Sequence, residues 1–93
     1  MDVKLQGQDR DFDLQEIKDH LNHQLKGYFI VANAKEADWQ NDANTLVLAA
    51  DPNGMKLDFT AGLMLADLVS IARPHAFDHM VEDYITYYRL WWD

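Results

Sequence analysis

Sixteen carboxylates and four histidines are the side chains in this 93-residue sequence that could hold a metal or move a proton, and no cysteine assists them. Without cysteine there is no disulfide, no thiolate zinc site and no thiol nucleophile. The histidines fall in two pairs, His20 with His23 and His75 with His79. Positions i and i+4 of a helix share a face, so His75 and His79, with Glu82 or Asp83 one turn on, could converge on Zn²⁺ or a similar ion. Ala76 stands where the zinc-protease helix carries its Glu. Both pairs also lie opposite the apolar stripes of the helices expected around them, where solvated polar residues belong. His75, His79 and Glu82 are therefore the metal candidates, set against an expectation of a solvated face and no bound cofactor.

Two acidic stretches resemble calcium loops in part. Asp9, Asp11 and Asp13 alternate as that loop's first ligands do, but Leu14 replaces its glycine and His20 its bidentate Glu. Asp51-Pro52-Asn53-Gly54 brings its glycine too early and puts Gly62 in the twelfth place. Helix N-termini and turns want these residue types anyway. The single serine, Ser70, has no Gly-x-Ser-x-Gly turn around it, and Gly7, Gly27, Gly54 and Gly62 are too scattered for a phosphate loop. No enzymatic signature emerges. Asp67 is the unusual acid, since it interrupts the apolar run from Leu63 to Ala72. A buried, unpaired carboxylate is costly, so a narrow exposed stripe through Asp67 and Ser70, or a basic partner, is expected.

The elements that would position these groups follow from local spacing. Asp13 suits an N-cap with Glu16 completing a capping box, and Phe12 and Ile17 form a hydrophobic staple. Leu14, Ile17, Leu21 and Leu25 repeat at helical spacing, and Lys26 and Gly27 close a helix over 14–26. Tyr28 to Ala32 is a short apolar run of strand type. Lys35 to Asn44 reads as a loop with Trp39 as its anchor. Thr45 to Asp51 and Met55 to Thr60 flank Asp51-Pro52-Asn53-Gly54 as a hairpin, the first strand apolar on both sides. Val3 to Leu5 has room for a short edge strand. From Ala61 to Arg73 the chain is apolar on nearly every side, as in a buried helix that stops before Pro74. A last helix is expected from Pro74 towards Trp92, with Phe77, Met80, Val81, Tyr84, Ile85, Tyr88, Trp91 and Trp92 facing inward. The fold class is thus α+β: a helix, a three-stranded antiparallel meander, then two C-terminal helices packed on the sheet, in a single domain over 1–93.

Composition bounds the function. The chain is 48% hydrophobic and 26% charged, as a folded domain requires. Its net charge is −8, with 13 of 16 acids being Asp, which disfavours a surface that grips phosphates. The charge is spread along the chain, −2 over residues 1–26 and −3 over each of 27–60 and 61–93. Apolar runs reach only five residues against the roughly 20 of a membrane span, and the polar N-terminus is unlike a secretory leader, so a cytoplasmic location is expected. Tyr84, Tyr87, Tyr88, Trp91 and Trp92 place five of eleven aromatics in the last ten positions. On a helix this apolar arc spans roughly 160°, wider than one core contact. Tyr87, Leu90, Trp91 and Trp92, together with Trp39, Asp78 and Asp83, are accordingly the candidate interaction residues.

The reading is a non-enzymatic interaction module, an acidic domain docking on a protein partner with a basic surface through carboxylates and C-terminal aromatics. The alternatives are a homodimer built through the C-terminal helix and a metal-dependent activity at His75 and His79. In length, acidic charge and inferred element order, notably the hairpin at Asp51-Pro52-Asn53-Gly54, the chain also resembles phage-encoded anti-CRISPR inhibitors, with no shared motif. That resemblance implies a nucleic-acid mimic blocking a DNA-binding protein.

Overall fold

The computed structural model describes residues 12–32, 39, 44–50 and 59–93. In chain order the elements are α1 (Leu14–Asn22), β1 (Phe29–Ala32), β2 (Thr45–Ala50), α2 (Phe59–Ala72), β3 (Ala76–Glu82) and β4 (Ile85–Trp91). The strands form one antiparallel sheet in the order β1-β2-β4-β3. The class is α+β, but the sequence of helix, strand, strand, helix, strand, strand replaces the expected three-stranded meander followed by two helices. The likeness to anti-CRISPR inhibitors in element order goes with it.

The main correction concerns residues 74–92, expected as a helix and found as the hairpin of β3 and β4. β4 reads Ile-Thr-Tyr-Tyr-Arg-Leu-Trp, a run of β-branched and aromatic side chains whose restricted χ1 favours a pleated surface. Its two faces are both apolar, so helical spacing is satisfied by coincidence. Asp83 and Tyr84 join the strands with φ of 52° and 66°, the two positive values of a type I′ connection, whose twist matches that of the sheet.

A second correction lies at the start of α2. Phe59 and Thr60, expected to end a strand, form its first two residues. The rest of that strand, the turn Asp51 to Gly54 and the strand at Val3 to Leu5 lie outside the described residues, as do Asp9 and Asp11.

α1 begins as its cap residues dictate. Asp13 takes extended backbone angles and its carboxylate accepts the Gln15 N–H at 2.9 Å. Ile17 and Leu21 are buried. The helix stops at Asn22, four residues short of expectation. The Asp19 carbonyl accepts the last helical bond, from the backbone N–H of His23 at 3.0 Å, and lies 2.8 Å from its ring Nδ1, while His23 itself leaves helical angles with φ of −121° and ψ of −72°. Leu25 still reaches the core through a turn closed by Phe29 N–H to its carbonyl. Gly27 follows with φ of 89°, a left-handed value that suits glycine.

One face of the sheet carries the main core. Ile17, Leu21 and Leu25 from α1 and its turn, Ala61, Leu65, Leu68 and Ala72 from α2, and Phe29, Leu46, Leu48, Leu90 and Trp92 from the sheet side form one buried cluster. Each fully buried large apolar side chain there contributes about 1.5–3 kcal/mol. Trp92 ties the sheet to α2, its indole N–H donating to the Ala72 carbonyl at 2.9 Å and its ring meeting Phe12 at 4.9 Å. α2 leaves one stripe wet, which holds Asp67 and Ser70 and resolves the apparent cost of that acid. The opposite face carries a smaller cluster of Trp39, Val47, Ala49 and Tyr87. β2 contributes to both, which is why Thr45 to Ala49 are all buried. Among the described residues no helix is long and apolar enough to cross a membrane.

Candidate interaction site

The site is built from the hydrogen-bond parity of the last hairpin. The Trp92 N–H donates to the Asn44 carbonyl at 2.9 Å. Antiparallel ladders alternate, so Tyr88 and Leu90 also direct their backbone groups to β2, while Ile85, Tyr87, Arg89 and Trp91 direct theirs to β3. Their register partners on β3 are Glu82, Met80, Asp78 and Ala76. Phe77, His79 and Val81 are left with N–H and C=O groups on the open side of the sheet, where no further strand pairs among the described residues.

Side chains reinforce this opening. Phe77, His79 and Val81 lie on the helix-bearing face, since they sit opposite Leu90, Tyr88 and Thr86. Leu90 is fully buried, yet Phe77 is 44% exposed and Val81 63% exposed, so the helical cover ends at β4. The Phe77 ring stacks on Tyr88 with centroids 5.9 Å apart and planes at 8°, and His79 borders the same ring at 6.4 Å. Tyr84 at the hairpin tip is completely exposed. The result is an apolar margin along the rim of the sheet, with free backbone groups beside it.

The reverse face of β3 is quieter electrostatically. Arg89 donates from Nε to Asp78 at 3.1 Å and pairs with the same oxygen through Nη2 at 2.5 Å. Its guanidinium also lies 5.7 Å from the centroid of the Trp39 ring. The Asp78 charge is thereby balanced within the fold.

The structure redistributes the sequence candidates. Trp39, Tyr87, Leu90 and Trp92 are buried, and Trp91 is half-buried with His75 6.4 Å from its ring. Asp78 is engaged by Arg89, and Asp83 occupies the exposed turn. A strand separates the metal candidates: His79 faces the helices, Glu82 lies on the other side, and His75 precedes β3 with its Nδ1 accepting the Asp93 N–H at 2.9 Å. No group of three His, Cys, Asp or Glu suited to a metal occurs among the described residues. Phe77, Val81 and Tyr84 were expected on an inward helical stripe and instead form the exposed margin. The signal that finds them is period two, with Phe77, His79 and Val81 alternating with Asp78, Met80 and Glu82.

The chain matches no protein-family model, no curated protein and no solved structure.

Proposed function

We propose that the chain is a non-enzymatic protein-interaction module that accepts an extended segment as an added strand along β3. One observation carries this reading: β3 is a seven-residue edge strand whose open-side residues Phe77 and Val81 are also exposed and apolar. Added strands gain affinity from main-chain hydrogen bonds and specificity from alternate side chains, and this margin offers both. Tyr84 adds a ring at the tip, a residue type that anchors interfaces. The carboxylates have a smaller part than composition suggests, since Asp13 caps α1 and Asp78 is paired with Arg89.

A displayed library of extended heptapeptides, followed by amide-shift mapping, tests the reading. Selected peptides should shift the amides of Phe77, His79 and Val81. Val81→Pro removes an outward N–H without touching the β4 ladder and should abolish that binding. Failure to select any binder, or binders mapping away from β3, would overturn the proposal.

A further inference from the structure

The geometry points to a specific occupant for this edge: a second copy of the chain, its β3 antiparallel to the first around a two-fold axis at His79. This rests on the interaction-module reading and names its partner. β3 runs from Ala76 to Glu82, so His79 is its midpoint and a two-fold there overlaps the strand along its whole length, about 23 Å of seam. The open-side residues Phe77, His79 and Val81 are symmetric about the same point. Full overlap of the strand selects this register, and hydrogen-bond parity permits it.

That register is self-complementary. Phe77 faces Val81 of the second copy, twice, gathering four apolar side chains on the helix-bearing face. On the reverse face Asp78 lies opposite Met80 and Ala76 opposite Glu82, so no two carboxylates oppose each other. A closed two-fold also ends the assembly at two copies, whereas pairing β3 with β1 of another copy would continue without limit.

A seam of this size belongs to the small class of interfaces, which sets the expected dissociation constant in the micromolar range. Each copy carries −8, so raising salt should tighten the dimer several-fold by screening. Position-specific cross-linking gives the sharpest test, because the chain has no native cysteine. In the proposed register residue 79 faces itself at a Cα separation of about 5.5 Å, inside the range a disulfide spans. His79→Cys should cross-link to a covalent dimer under mild oxidation, and Asp67→Cys, on the wet stripe of α2, should not. Sedimentation equilibrium should show a monomer–dimer equilibrium weakened at least about tenfold by Val81→Lys, which places a charged gatekeeper on the edge. Ile30→Lys on the far edge should leave it unchanged. A chain that stays monomeric at high micromolar concentration, cross-links no faster at 79 than at 67, or grows past a dimer would overturn the inference. In that event the peptide selection still decides separately whether the edge accepts a strand.

Discussion

The two margins of the sheet solve the same physical problem differently. β1 has four residues, and its first, Phe29, is buried in the core. β3 has seven, and its open-side residues Phe77 and Val81 are exposed. Edge strands are commonly protected by being short, by lysine or proline, or by a bulge. β1 uses brevity. β3 has no lysine or proline between Ala76 and Glu82, and it pairs with β4 in unbroken register. Its interior acid, Asp78, is held by Arg89. The contrast shows that exposure of one edge is a property of its residues and not of small sheets in general.

The widest gap between the margins should appear on truncating a matched pair of side chains. Phe29→Ala should cost about 3–5 kcal/mol because it opens a cavity in the core. Phe77→Ala, at a half-exposed position, should cost about 1 kcal/mol or less, and urea denaturation followed by circular dichroism checks both. Equal losses would erase the distinction between the edges.

The turns beside the two strands give the next largest effect, with opposite signs. Gly27→Ala, at φ of 89° before β1, should destabilise by about 1–2 kcal/mol, although nothing lies within 4 Å of the added Cβ. Tyr84→Gly, at φ of 66° after β3, should stabilise by about 0.5–1 kcal/mol by relieving a bulky residue in the left-handed region. Thermal unfolding at low protein concentration reads both changes on the monomer. The smallest effect belongs to the pair beneath β3. Asp78→Asn should lower stability by less than about 1 kcal/mol, because the carboxylate is 45% exposed. A larger loss in the same unfolding assay would mean that this contact, and not the ladder, holds the long edge in place.

Some of this architecture is legible in the residues. Asp13 announces the start of α1 because a cap is a local hydrogen bond, and β2 is apolar on both sides because it serves two clusters. Arg73-Pro74 follows the end of α2, with Arg73 at φ of 47° and its N–H closing on Val69. The hairpin of β3 and β4 is harder to see, because Tyr88 and Leu90 look inward to one cluster while Tyr87 looks to another. Apolar side chains needed on both faces fill every helical position as well, and only the β-branched and aromatic content separates the two periods. The candidate site was hidden by the same ambiguity. Aromatics assigned to a surface, Tyr87 and Trp92, are core, while Phe77 and Tyr84 are exposed. What distinguishes them is the position of β3 at the margin, a tertiary fact with no local signature.

The strand order has a consequence in time. Among the described residues, β4 is the last element in the chain, yet it lies between β2 and β3 and is the only strand that β3 contacts in the sheet. During synthesis, β2 and α2 emerge with their inner surfaces incomplete, and β3 gains its described neighbour, β4, when this hairpin closes. Assembly therefore waits on long-range pairing, the step that slows folding. Until it occurs, Leu46, Leu48 and Val47 remain available to other nascent chains, which makes the closing hairpin the kinetic safeguard of the fold.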